Sequence, residues 1–560
     1  MKPTSFIRLC IFLLSLGLVS GRAEVKLPGI FGDHMVLQRD TSVPVWGTAT
    51  PGEAITVTAG SVTASAKADK DGKWIVRLEK LPLSATPIEL DVNGTNKIAL
   101  HDVLVGDVWV CSGQSNMAFP LGEASTAKEE IPAANHPDIR LFSVNQNPRF
   151  KPQSDCTGQW VLCTPYTVRD FSAVGYFFAK EIAATEKVPV GLIGSYVGST
   201  PAQAWTSLNT LQSDPDLKKA YADPLTALAA DPVAVKAAHD AWLAKGGGAY
   251  LNAMTKWYED NWAAQQKGET PPPQPAHYAI PEPPYEGQTT LPTVLFNGMI
   301  APLEPFAIKG VIWYQGESNG GNSLYAKLFP AMIADWRKSW GQGDFPFLYV
   351  QLPNLGARSP NPAEISGWPV ACEDQLDGLA LPNTGMAITI DAGDGNNLHP
   401  PYKDIVGHRL AQYARHLVYG EDLVYSGPLY DSFKIDGNKV TITFKNVGTG
   451  LKIGTPPVTP PGSTPPPKNE LKGFAVAGID HKYSWAKATI SGTNTVTVTC
   501  DRVSAPTSVI YGWDADPEVN LYNSADLPAS PFRTDRNDAG GHPQPAPAAV
   551  PASATPPPAK

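Results

Sequence analysis

Val108-Trp109-Val110-Cys111-Ser112-Gly113-Gln114-Ser115-Asn116-Met117 is an apolar run that breaks at a glycine into a polar turn. A short apolar strand feeding directly into such a turn belongs to a sheet buried on both faces, with its loops gathered at one edge. The same rhythm returns at Val190-Gly191-Leu192-Ile193-Gly194, Gly310-Val311-Ile312-Trp313-Tyr314, Phe347-Leu348-Tyr349-Val350 and Met386-Ala387-Ile388-Thr389-Ile390. Between these runs, Phe171, Val174, Phe178 and Ile182 recur at helical spacing, and helices are predicted over residues 171–184, over 324–340 and from about Tyr402. Strands alternating with helices predict an α/β domain with a largely parallel sheet, placed at residues 103–425.

On either side of it the period shortens to that of half-buried strands. Ser42–Gly47, Ala54–Thr58, Trp74–Leu78 and Ile88–Val92 alternate apolar and polar residues and are separated by Asp69-Lys70-Asp71-Gly72 and Asn93-Gly94 turns, so residues 24–102 are expected to form a small β-sandwich. Lys439–Phe444 and Thr495–Thr499 mark a second β module over 426–536, interrupted by a stiff Pro-rich loop at 456–467. Residues 206–292 break the α/β rhythm with helical periodicity and a Pro-rich return; they read as an insertion that shapes the rim of a site. The Pro/Ala-rich tail, 537–560, has too few apolar side chains to pack and is expected to be disordered.

The chain's 560 residues exceed what one hydrophobic core supports. Its 55 Pro and 49 Gly suit loop-rich β structure beside a packed core. A net charge of −9, with no clustered Lys and Arg, argues against a nucleic-acid partner. Lys2 and Arg8 precede an apolar stretch from Leu9 to Val19, and Gly21-Arg22-Ala23 supplies small residues before Glu24. Residues 1–23 therefore read as a signal peptide, which implies a periplasmic or extracellular protein with no membrane anchor once it is removed. Of the remaining cysteines, Cys156 and Cys163 admit either a small-loop disulfide or two buried thiols. Their spacing, like that of the histidines, matches no metal site, and no metal or cofactor is assigned. Nothing in the sequence sets the oligomeric state.

In an open α/β sheet the reactive groups lie in loops at the carboxyl ends of the strands. Ser115 occupies such a loop, on a Gly-flanked turn that exposes its hydroxyl, and reads as a nucleophile in need of a base and an oxyanion hole. Among the ten histidines His399 follows a predicted strand in a loop, while His408 and His416 fall in a predicted helix, so His399 is the expected base. Oxyanion donors are sought in the backbone amides of Ser115 and Gly198 and in the side chains of Gln315 or Asn319. Gly198 reads equally as a turn glycine with positive φ, and Gln114 and Asn116 as residues that fix the nucleophile turn.

Gly106-Asp107-Val108-Trp109, Ser112-Gly113-Gln114-Ser115-Asn116-Met117, Trp313-Tyr314-Gln315-Gly316-Glu317-Ser318-Asn319 and His399-Pro400 together resemble the sialate O-acetylesterase family of SGNH/GDSL hydrolases. Leu37-Gln38-Arg39, Phe171–Tyr176, Phe296–Ile300 and Leu527–Thr534 extend the resemblance over nearly the whole chain except the insertion and the tail. It implies an SGNH-type three-layer α/β/α domain and a serine esterase that removes acetyl groups from carbohydrate, with Ser115 and His399 as a catalytic pair. Sialic acid is the implied sugar, with acetylated xylan or another plant or algal polysaccharide as the alternative. A noncatalytic carbohydrate-binding protein is the rival from another class. Many SGNH hydrolases carry an Asp three residues before the histidine, where this chain has Asn396, which cannot balance an imidazolium. Related esterases with a Gln-Gly-Glu-Ser motif use its glutamate, so the resemblance ranks Glu317 ahead of Asp394 and Asp391, and a dyad without an acid is also allowed.

Overall fold

The computed structural model describes residues 24–267, 269–270, 272–362, 367–460 and 464–536. The expected signal peptide at 1–23 and tail at 537–560 lie outside the described residues. The central sheet runs Thr384–Ala387, Phe347–Val350, Gly310–Tyr314, Lys97–Gly113, Val190–Tyr196, His136–Ser143, Trp160–Cys163 in space. Every neighbouring pair is parallel except the last.

Successive residues of its strands enter different cores. Val108, Val110, Val311, Trp313, Phe347 and Tyr349 pack with Leu328, Met332, Ile333 and Trp336 of the Tyr325–Trp340 helix. Trp109, Cys111, Ile312, Tyr314, Leu348 and Val350 pack instead with residues of the Ala173–Glu186 and Lys403–Leu417 helices. A strand covered on both faces has no solvent side to mark with polar residues, which is why these strands read as unbroken apolar runs. Lys97–Gly113 comes first in the chain among the parallel strands and lies inside the sheet, with later strands added on both sides. The loops that leave it and its neighbours diverge there, which opens a crevice at the carboxyl edge.

The last two strands on this side of the sheet were not expected. His136–Ser143 and Trp160–Cys163 were hidden because the first begins on His136-Pro137 and carries Arg140 inside its apolar run. The Arg140 guanidinium is 3% exposed and bonds both carboxylate oxygens of Asp102 at 2.7 and 3.2 Å, so a charge that argues for solvent in the sequence is neutralised inside the fold. The last strand ends earlier than expected, at Ala387, because the Ile388 carbonyl accepts from Arg409 and the Thr389 hydroxyl donates to the Gln351 carbonyl.

Lys97–Gly113 is a 17-residue strand that passes through position 102/103. Its first half pairs with Ser84–Asn93 and Val36–Gln38, its second half with the central sheet, so the N-terminal strands share a backbone with the strand that leads to Ser115. Asp107 clamps the junction: its buried carboxylate accepts from the Gln38 amide, the Arg39 guanidinium and the Tyr419 hydroxyl. The Leu37-Gln38-Arg39 and Gly106-Asp107 segments are thus partners in structure. At the other end, four-stranded antiparallel sheets formed by Leu429–Asp436, Lys439–Lys445, Thr495–Thr499 and Lys487–Ile490 and by Ser484–Trp485, Phe474–Ala477, Ser508–Tyr511 and Phe532–Arg533 are tied to the α/β region by Arg533, whose guanidinium bonds Glu373 at 2.9–3.1 Å. The insertion is helical, including Pro232–Trp242 and Gly248–Lys267, and its Pro-rich return docks by accepting from Trp242 at Ile280 and from Trp257 at Pro272. Cys156 and Cys163 are both buried free thiols, which decides against the disulfide.

Candidate active site

Ser115 opens a one-turn helix, Ser115–Ala118, directly beyond the strand. The turn depends on Gly113: its φ is 132°, and a Cβ there would stand 2.1 Å from the Tyr314 carbonyl oxygen. Only glycine both adopts that backbone and lets the neighbouring strand approach. Gln114 is 2% exposed, and its side-chain oxygen accepts from the Ser318 amide, which fastens the Ser115 turn to the Glu317 loop. Ser115 remains partly accessible.

His399 approaches from the loop after Thr384–Ala387, and its Nε2 lies 2.8 Å from Ser115 Oγ. The two residues stand 284 positions apart in the chain and meet at hydrogen-bonding distance. The His399 amide donates to the Asn397 side chain, which shapes the loop locally. Burial, reinforced by the positive charge of Lys403, pushes the imidazole pKa down to about 4, so the ring is neutral near pH 7 and Nε2 can accept a proton.

The carboxylates separate by their partners. Asp391 is fully committed: Arg409 grips it at 2.6 and 2.9 Å and the Tyr522 hydroxyl donates to it at 3.0 Å. It is a buried structural ion pair, which removes it from the candidates for the acid. Asp391→Asn is expected to lower stability by about 3 kcal/mol in urea unfolding, because Arg409 loses its counterion, while kcat of the folded enzyme is retained. A lost kcat at unchanged stability would return Asp391 to the chemistry. Asp394 accepts from the Asn396 amide at 2.9 Å and so shapes the loop that carries His399. Glu317 Oε1 accepts from Asn116 Nδ2 at 2.6 Å, while its buried Oε2 has no hydrogen-bond partner among the described residues. Burial raises the Glu317 pKa, and the bond from Asn116 opposes that rise.

Lys403 is the residue that the sequence reading missed. It is completely buried, and its Nζ donates to Asn116 Oδ1 at 2.5 Å and lies over the rings of Phe119 and Tyr314. Burial lowers its pKa to about 7, against the pull of Glu317. An ammonium can only donate, so Asn116 must turn its oxygen to Lys403 and its nitrogen to Glu317 and to the Leu398 carbonyl, 3.0 Å away. One amide side chain thereby joins the Ser115 turn, the Glu317 loop and the residue before His399. A signal was present in the sequence: Lys403 is the first residue of the Lys403–Leu417 helix, the end where the dipole disfavours a cation.

The expected oxyanion donors divide. Gly198 lies against Ser115, since a Cβ added to it would be 3.5 Å from Ser115 Cβ. The positive φ expected there falls instead on Ser199, at 58°. Gln315 is corrected: it is fully buried, and its amide nitrogen donates to the Thr200 carbonyl and to Asn319 Oδ1, which uses both hydrogens. Asn319 accepts from the Ala202 amide and donates to Gln203, and is 1% exposed. These two side chains hold the loop that carries Gly198. Among the described residues no group of three or more His, Cys, Asp or Glu side chains is arranged to hold a metal ion.

The profile of the family described as "Carbohydrate esterase, sialic acid-specific acetylesterase" matches residues 105–229 and 290–415. Mouse sialate O-acetylesterase is 31% identical over 75% of this chain and 79% of its own length, and the rat protein of that name is 28% identical over 93% and 96%. The crystal structure of a carbohydrate acetylesterase from Xanthomonas citri superimposes with a TM-score of 0.73 at 36% identity, covering 91% of this chain and 99% of that one. The chain belongs to the sialate O-acetylesterase family. Membership makes it a carboxylic ester hydrolase, and the site just described lies on the matched segments. The stretch the profile skips, 230–289, falls within the helical insertion.

Proposed function

We propose that this member of the sialate O-acetylesterase family is an exported serine esterase that hydrolyses O-acetyl esters on carbohydrate through an acetyl-serine intermediate. The observation that carries the reading is the 2.8 Å approach of His399 Nε2 to Ser115 Oγ at the point where the sheet's connections diverge. His399 takes the hydroxyl proton as Ser115 attacks the acetyl carbonyl, then passes it to the departing sugar oxygen; water, deprotonated by the same imidazole, releases acetate. The backbone amides of Ser115 and Gly198 are the proposed oxyanion donors. Glu317 is the proposed acid ahead of Asp394, acting through Asn116 on the loop that holds the base. The SGNH-type three-layer reading of residues 103–425, with β modules at 24–102 and 426–536, accords with strands that feed two separate cores. Export rests on residues 1–23, as read from the sequence.

Sialic acid is the first substrate by kinship with the rat and mouse enzymes. A neutral polysaccharide is the second reading, favoured by the cavity beside the His399 loop, where Asp394, Asp516 and Glu518 would repel a sugar carboxylate. Acetate release from O-acetylated sialic acids, xylo-oligosaccharides and pectins, with Ser115→Ala as the blank, tests both. The wild type is expected to release acetate from at least one class and the variant from none. If the wild type cleaves neither these nor p-nitrophenyl acetate yet still binds sugar, the chain is a binding protein and the esterase reading fails.

A further inference from the structure

We infer that the His399 loop and the C-terminal β module form one cleft that binds a chain of neutral sugar residues, with Trp485 as its distal stacking platform. The inference rests on the acetylesterase reading in its second form, a neutral polysaccharide, and extends it from a single acetylated sugar to the polymer that carries it.

Two cavities of about 450 and 970 Å³ lie along this face, each in the range of small-molecule sites. The smaller is lined by Asp394 and Asn396, three to five residues from the base, and by Asp516 and Glu518 of the C-terminal module. The larger is lined by Lys472, Trp485 and Lys487, none of which lines the smaller. Arg358 and Glu518 line both, so the two adjoin at those side chains.

Trp485 supplies the chemistry of recognition. It is 50% exposed, whereas Trp109, Trp160, Trp205, Trp313 and Trp336 are fully buried. Its Nε1 donates to the Pro360 carbonyl at 3.0 Å, which ties down one edge of the indole and leaves an apolar surface open to the cavity. A sugar ring matches this arrangement: its C–H face packs on an aromatic ring, and its equatorial hydroxyls reach planar carboxylates, amides and ammonium groups at the rim. A rigid aromatic loses little entropy on binding, unlike the long side chains around it.

The charge distribution selects the class of glycan. Near the base, Asp394, Asp516 and Glu518 face a single guanidinium, and Arg358 already bonds the Asp516 carbonyl at 2.9 Å and its carboxylate at 3.2 Å. With Arg358 taken by Asp516, an anionic sugar entering here meets Asp394 and Glu518 with no second cation in the lining, while hydroxyls find acceptors.

The test compares acetylated two-sugar and six-sugar fragments of xylan, glucomannan and pectin, O-acetylated sialosides and p-nitrophenyl acetate. For the neutral glycan cleaved best, wild-type kcat/KM is expected to rise about tenfold with length. Trp485→Ala should raise KM for the six-sugar fragment about tenfold with kcat unchanged, Trp485→Phe should restore most of it, and p-nitrophenyl acetate should be cleaved equally by all three. That last activity also reports that the variants fold. Independently of Trp485→Ala, the deacetylated six-sugar fragment should bind Ser115→Ala protein and shift its tryptophan emission. Length-independent wild-type kinetics, an unchanged KM in Trp485→Ala, or a sialoside or pectin fragment cleaved better than every neutral fragment would overturn the inference while leaving the esterase standing. Only the absence of acetate release by the wild type from every substrate, p-nitrophenyl acetate included, counts against the esterase reading itself.

Discussion

Ser115→Ala is expected to lower kcat toward p-nitrophenyl acetate by a factor on the order of 10⁴ to 10⁶, with His399→Ala close behind and the double variant no worse than the more damaging single one. The reason is geometric. Ser115 Oγ and His399 Nε2 form one hydrogen-bonded unit, and removing either member leaves the other with nothing to do. The loss should leave stability nearly intact, because Ser115 sits on a turn held by Gly113, Gln114 and Asn116 rather than by its own hydroxyl. Single-turnover kinetics with urea unfolding on the same samples separate the two effects. Additive losses in the double variant would show that the pair does not act as a unit.

The second large effect is predicted at a residue that touches no substrate. Lys403→Met is expected to lower kcat/KM by about a hundredfold, because Asn116 is freed to rotate and both the nucleophile turn and Leu398 lose their anchor. It should also cost about 3–5 kcal/mol of stability if Glu317 remains ionised, since the buried carboxylate then has no cation beside it. The pH profile distinguishes electrostatics from scaffolding. His399 is held near 4 first by burial and then by Lys403, with Ser115 Oγ on its Nε2 and Glu317 joined to its loop through Asn116. A lowered imidazole pKa means the base is neutral, and active, above about 4 and is lost as pH falls through that value. The acid limb of wild-type kcat/KM should therefore lie below the ordinary value of about 6.5. In Lys403→Met it should rise toward that value without reaching it, because burial remains. Lys403→Arg, which keeps the charge, should hold the limb low. An acid limb that stays in place in Lys403→Met would reduce Lys403 to a packing role.

Several readings were local enough to be made from the sequence. The Gly310–Tyr314 and Phe347–Val350 strands match the apolar runs residue for residue, because burial on both faces removes any reason for a polar interruption. His136–Ser143 was missed for the complementary reason: Arg140 is compensated by Asp102, a partner 38 positions away that no local window contains. Gly113 could be read as a turn residue from its place after a strand, whereas the positive φ assigned to Gly198 belongs to Ser199. Both residues of that pair sit in the same loop, and only its closure against Gln315 and Asn319 decides which one bends.

The sequence by itself marked most of the strand-to-loop transitions, and with them the loops that carry the Ser115 hydroxyl and the His399 imidazole at the sheet's carboxyl edge. Tertiary structure alone decided what those loops hold on to. Asp391, Asp394 and Glu317 are equivalent as letters, yet one is bound by Arg409 and Tyr522, one by its own loop and one by Asn116, 201 positions away. A carboxylate's charge, and an amide's freedom to donate, are set by competition among partners within about 3 Å. Strand periodicity is written in consecutive residues, but that competition is settled only when segments as distant as Asn116 and Lys403 come into contact.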